Sequence, residues 1–179
     1  MNAMRIGALV SLPACLALAG CETMSEDQCR KADWYAIGQR DGNDGQNERW
    51  LDAHRRACAK AGIAPDQQRW LQGWAVGVRS YCVPPRGWRA GLNGRSYDGA
   101  CRDKGESLFL HHYEAGRAAY KTQQERDGVL RDINKAEDEL KKASKDDDRK
   151  LLRDKLRRLN DDYRRLGRQL ERQLAEEPR

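Results

Sequence analysis

A large aromatic ring followed three residues later by glycine keeps returning in this chain. Copies include "YAIG" (Tyr35, Gly38), "WLQG" (Trp70, Gly73), "WRAG" (Trp88, Gly91) and "YEAG" (Tyr113, Gly116). In two of them another glycine follows four residues on, at Gly42 and Gly77. On a helix, residues three and four apart share a face. A bare backbone beside a ring lets a neighbouring helix come close, while the ring covers the gap. Each such glycine costs a helix about 1 kcal/mol relative to alanine, so the repetition points to close helix packing that offsets it. The same rings would also suit the walls of a ligand groove, for a glycan among others. Trp34, Tyr35, Trp70, Trp74 and Trp88 form that candidate ligand surface, and packing is the reading adopted.

The first residues set a second constraint. Arg5 supplies a positive start, and "IGALVSLPACLALA" (Ile6 to Ala19) is an apolar run of signal-peptide length, short for a bilayer span. It ends in "LAGC", Leu18-Ala19-Gly20-Cys21, which resembles the lipobox of bacterial lipoproteins. That resemblance implies a signal peptide over residues 1–20 and a mature chain that begins at a lipid-bearing Cys21. "LPAC" at Cys15 fits less well, because Pro13 stands in the box and the cysteine lies inside the apolar run. Glu22 rather than Asp follows Cys21, which under the enterobacterial sorting rule directs the chain to the outer membrane, on its periplasmic face. No second apolar run follows, and the mean hydropathy is -0.98. The expected membrane attachment is therefore an anchor, to which each buried CH₂ contributes roughly 0.8 kcal/mol.

Of six cysteines, Cys15 leaves with the signal peptide and Cys21 carries lipid. Cys29, Cys58, Cys82 and Cys101 remain. An even set in an oxidising compartment reads as two disulfides with three connectivities to choose from. Zinc sites use close pairs, and these spacings are wide, so no metal is expected. Leu, Ile, Val and Phe make up under a fifth of the chain, little for an unaided core. Five Trp, six Tyr and the disulfides compensate.

Four units follow from these features: the signal peptide, a lipidated tether (21–27), a cysteine-containing helical domain (28–105) and a charged helical tail (106–177). In the domain, "EDQCRKADWYAIGQRD" reads as a first helix stopped by Gly42 and Gly45. "ERWLDAHRRACAKAG" reads as a second, and Pro65 and Asp66 start a third that runs to Cys82. Antiparallel packing of the first two brings Cys29 beside Cys58. By elimination Cys82 pairs with Cys101, closing "VPPRGWRAGLNGRSYDGA", a segment without a helical period.

In the tail, Val129, Ile133, Ala136, Leu140 and Ala143 alternate steps of four and three, a heptad seam. The seam loses phase at "SKDDDRK" and resumes from Leu152 to Leu170. Ser144 and Asp146 to Asp148 are N-cap residues there, so the break reads as a turn between antiparallel arms. The fold class expected is mostly α: a small disulfide-stapled domain followed by a long antiparallel helical hairpin. One continuous helix in a parallel dimer is the alternative. The formal charge is +6 with both signs interspersed, which reads as a solvated surface. The compartment excludes nucleic acid as the partner.

Taken together, "DWYAIGQRDG", "GLNGRSYDGAC" and "YEAGRAAY", between a lipobox and a coiled-coil tail, resemble the domain-of-unknown-function family numbered 2799. These are small bacterial lipoproteins. The resemblance spans about Cys29 to Tyr120, supports fold and place, and carries over no catalytic residue.

Tests for chemistry come out mostly empty. An EF-hand loop from Asp41 would need a ligand where Gly45 stands, glycine where Gln46 stands and glutamate where Asp52 stands, and fails there. Asp41 and Asp44 are therefore read as turn residues. His54 stands four residues before Cys58, but an oxidised cysteine is no nucleophile. His111 and His112 diverge on a helix. Asp33, Asp41 and His54 could still converge. No cofactor and no catalytic residue is expected. The function expected is non-enzymatic binding or organisation of an envelope component, with a protein partner engaged through the tail. Alternatives are an inhibitor of a cell-wall enzyme such as lysozyme, a weak peptidoglycan or glycan binder, and a cell-wall hydrolase.

Overall fold

The structure, a computed structural model, describes residues 23–178. The expected signal peptide and the lipidation site at Cys21 lie outside the described residues. Among those described there are seven helices: α1 (Glu26–Arg30), α2 (Trp34–Asn43), α3 (Trp50–Ala59), α4 (Gln67–Tyr81), α5 (Pro84–Leu92), α6 (Glu106–Lys142) and α7 (Asp146–Leu174). No described helix is long and apolar enough to cross a membrane.

The chain departs from the expected elements in four places, each with a local cause. The expected first helix is two. Asp33 interrupts it, its carboxylate accepting from the N–H groups of Tyr35 and Ala36 and so starting α2 afresh. Gly42 does not stop α2 but lies buried inside it, and the stop is Gly45 at φ 80°. The segment after Cys82 holds a helix, α5, whose first turn contains Pro84 and Pro85. Proline lacks the N–H that a first turn leaves unpaired anyway. The described part of the segment expected to be a tether, residues 23–27, is folded in: Met24 is buried and Ser25 closes a capping box on α1.

α2 packs on α4, not on α3 as expected. The glycines explain the choice. A Cβ on Gly38 would stand 2.0 Å from the carbonyl oxygen of Trp70, and one on Gly73 would stand 1.9 Å from that of Tyr35. Gly42 faces the carbonyl of Trp74, and Gly77 that of Gln39. Each aromatic-x-x-Gly motif therefore seats its glycine on the backbone at the other motif's ring. α3 instead meets α1, which is how Cys29 reaches Cys58. Cys82 is joined to Cys101.

α5 and α6 repeat this arrangement. Gly87 faces the carbonyl of Phe109, Gly91 that of Tyr113, and Gly116 that of Trp88. With Gly42 matched to Gly91 and Gly77 to Gly116, every glycine contact of the first pair but that of Gly73 has its counterpart. Gly45 (φ 80°) lies on the Tyr81 ring and Gly94 (φ 67°) on the Tyr120 ring. The Trp74 indole N–H donates to the carbonyl of Gln46, and the Tyr113 hydroxyl to the matched carbonyl of Arg95. The domain is thus built from two copies of one interlocked helix pair.

α6 runs on without a break from this domain into the tail. Its first turns pack on α5 and its later ones on α7, so the packing is continuous across the start of α6 at Glu106. Ile133, Ala136, Leu166 and Leu170 are buried along the hairpin. The helix cap at the turn is Lys145, without a side-chain bond, and Asp146 to Asp148 occupy the first turn of α7, where the helix dipole favours acids. Leu170 packs with Trp88 and Ala119, so the end of α7 returns to the domain.

Candidate functional site

The polar residues buried in the domain converge on one carboxylate. Asp41 Oδ2, on α2, lies 2.8 Å from His54 Nε2 on α3 and accepts from the Trp70 indole N–H on α4 at 2.9 Å. The second ring nitrogen of His54, Nδ1, lies 2.9 Å from the hydroxyl of Thr23. Asp41, His54 and Trp70 are 7%, 3% and 0% exposed. The rings of Trp34 and Trp50 stand 6.2 and 6.3 Å from that of His54. An ionised carboxylate only accepts, so His54 donates through Nε2. In the neutral ring Nδ1 then accepts from Thr23.

Hydroxyl, imidazole and carboxylate in a chain are the residue types of a nucleophilic relay. Among the described residues, the imidazole and the carboxylate of this chain are buried. The cleft of about 330 Å³ that Thr23 lines runs along Met24, Lys31, Ala36 and Arg40 and includes neither His54 nor Asp41. The network acts as a clasp: it fastens the N-terminal segment and α3 to the interlocked pair. Asp41 and His54 meet, while Asp33 caps α2 and stays apart. The turn role expected for Asp41 falls to its backbone carbonyl, which accepts from Gln46.

The candidate ligand surface does not form. Trp34, Trp70, Trp74 and Trp88 are buried, the last three to 4% or less. Their rings fill the space beside the interlocked glycines. Tyr35 alone is half-buried, with the Arg69 guanidinium 5.4 Å from its ring centre. One edge of Trp74 reaches a polar cleft of about 300 Å³ between Asn47–Arg49 and Asp98–Lys104, where the Lys104 ammonium covers it at 4.8 Å. His111 and His112 sit side by side on α6, their rings edge-on at 5.1 Å.

A second clasp holds the loop before α6. The Tyr97 hydroxyl donates to Glu106 at 2.7 Å and accepts from the Cys101 N–H at 2.9 Å. Burial, then the bond to Glu106, pushes its pKa well above the usual tyrosine range. Burial also pushes that of Tyr81 up.

The duplication was the signal available in the sequence and not read from it. "GQRDGNDG" (Gly38 to Gly45) aligns with "GWRAGLNG" (Gly87 to Gly94), and "WLQGWAVGVRSY" (Trp70 to Tyr81) with "FLHHYEAGRAAY" (Phe109 to Tyr120). In that alignment Asp41 falls on Ala90 and Trp70 on Phe109. The second copy keeps the interlock and lacks the clasp.

The fold defines a class: a helical, disulfide-stapled domain of paired glycine-interlocked helices, extended by a helical hairpin. Residues 33–118 match the family described as protein of unknown function DUF2799, and over that span the chain resembles this family. No curated protein and no solved structure matches the chain.

Proposed function

We propose that the chain is a bacterial envelope lipoprotein, held by an acylated Cys21 on the periplasmic face of the outer membrane. In this reading it is a non-enzymatic protein that binds or organises another envelope component. The observation that carries the reading is the position of Thr23. Two residues after the expected lipid carrier, the chain is already fixed to His54. Anchor and domain would then be joined with almost no linker, which suits a protein that presents a surface in a fixed pose.

The presented element is the hairpin. Beyond Tyr120, α6 continues through Lys142, a reach of about 33 Å at 1.5 Å per residue. The closed clasp around His54 supports a binding role over a hydrolytic one.

Two experiments test this. Labelled fatty acid should enter the wild-type protein in bacterial cells and not the Cys21→Ser variant; equal labelling of both would end the lipoprotein reading. In-cell cross-linking should capture an envelope component that is lost when both hairpin arms are shortened, with Leu170 and the hydrogen bond from Gln169 to the Thr122 hydroxyl kept. Capture that survives the shortening would move the binding surface to the domain.

A further inference from the structure

The formal charge of the chain is +6, and an excess of the same size falls within one part of one helix. After the three aspartates of its first turn, α7 carries ten basic and four acidic residues between Arg149 and Arg172. The remaining basic and acidic residues of the chain balance. Some of the ten are engaged: Arg157, Arg164 and Arg165 pair with aspartates three residues earlier, and Lys155 approaches Glu139. Lys150, Arg153, Arg158, Arg168 and Arg172 are exposed, and among the described residues none of them has an acidic partner.

At 3.6 residues per turn these five cations fall within an arc of about 140°. The apolar row of α7, including Leu156, Tyr163, Leu166 and Leu170, lies on the opposite side and is used against α6. The exposed leucines of α7, Leu151 and Leu174, stand at its opposite ends, so among the described residues the helix has no continuous apolar face left to insert into a bilayer or to offer as a seam to a partner helix. It offers a straight, mainly cationic face about 36 Å long, on which Asp154 and Asp161 are paired with Arg157 and Arg164 and Glu171 is a further acid.

We infer that this outward face of α7 docks on an anionic lipid surface, at the level of the headgroups and without insertion. The breadth of the arc decides the occupant. A single polyanion strand touches a narrow row, here Lys150, Arg168 and Arg172. A plane of headgroups also comes within reach of Arg153 and Arg158 on either side. The inference is independent of the lipid at Cys21, and so is its test.

The test uses residues 21–179 with Cys21→Ser, so that neither the apolar leader nor an acyl group contributes. Sedimentation with vesicles of mixed phosphatidylglycerol and phosphatidylcholine is compared with vesicles of phosphatidylcholine alone. Binding is expected only to the anionic vesicles, weakening as salt is raised. Lys150→Gln, Arg153→Gln, Arg168→Gln and Arg172→Gln together should lower it roughly tenfold or more. Removing four charges elsewhere, at Arg56, Arg79, Lys121 and Lys135, should leave most of it. Circular dichroism checks that both variants keep their helices. Equal binding by the two variants, binding to neutral vesicles, or binding to soluble polyglutamate without binding to anionic vesicles would each overturn the inference.

Discussion

Asp41 and Ala90 occupy the same place in two copies of one helix pair, and only Asp41 is charged. The glycine interlock is therefore independent of the carboxylate, because α5 and α6 form it around Ala90 and Phe109. What Asp41 adds is a hold on two elements without a counterpart in the second copy: α3, through His54, and the N-terminal segment, through Thr23. Asp41→Ala would leave the His54 and Trp70 N–H groups buried without an acceptor. The expected loss is about 3 kcal/mol in urea unfolding. Replacing Asp41, Trp70 and His54 together by Ala, Phe and Leu removes the stranded donors with the acceptor. That triple variant should be more stable than Asp41→Ala alone, a non-additivity that a purely local packing role would not give.

The interlock predicts opposite signs for one substitution at different glycines. In Gly38→Ala or Gly91→Ala the new methyl would meet a backbone carbonyl at 2.0 Å, and two helices would have to part. A loss of about 3 kcal/mol is expected from such overpacking. Gly128 lies in α6, and a methyl placed there would have its nearest outside neighbour, the Arg131 guanidinium, at 3.7 Å. Gly128→Ala should instead add about 1 kcal/mol. Thermal unfolding of the three variants decides the point.

Much of this fold was legible in the sequence, and the exceptions have physical causes. The hairpin was readable because its seam keeps a regular period and loses phase around Ser144 to Asp148, next to the turn at 143–145 between α6 and α7. The aromatic-x-x-Gly motifs gave the packing, because glycine at helical spacing has few other uses. α5 was not readable, since a nine-residue helix with two prolines and two glycines looks like a loop until its partner is known. The clasp was half readable. Asp41 sits among turn residues, and its burial depends on α3 and α4 arriving from later in the chain. The burial of the tryptophans follows the same rule: a ring beside an interlocked glycine faces the partner helix.

The two disulfides should differ in what their loss releases. Cys82–Cys101 closes a loop of separation 19 and braces the turn before α6, while Cys29–Cys58 has separation 29 and fastens α1 to α3. Each contributes about 3 kcal/mol in the loop-entropy description. With Cys29→Ser and Cys58→Ser, protease sensitivity should appear first around Lys31 and Arg30, next to α1. With Cys82→Ser and Cys101→Ser it should appear around Arg102 and Lys104. Mass spectrometry of early fragments distinguishes them, and identical first cuts would contradict the assignment.

Tyr97 makes stability depend on alkaline pH. Its hydroxyl is partly buried and donates to Glu106, so its folded pKa stands above the ordinary 10.0. A phenol raised in this way stabilises the fold while it is protonated. The contribution is complete below pH 10.0 and disappears as the pH climbs through the folded value. Tyr81, raised by burial, acts in the same direction. Urea unfolding free energy should therefore fall above about pH 10. Tyr97→Phe keeps the ring against Phe109 but has no proton to lose. It should lower stability near neutral pH, through the lost bonds to Glu106 and Cys101, and flatten the alkaline decline. A decline equally steep in Tyr97→Phe would assign the alkaline loss to other groups, Tyr81 first among them.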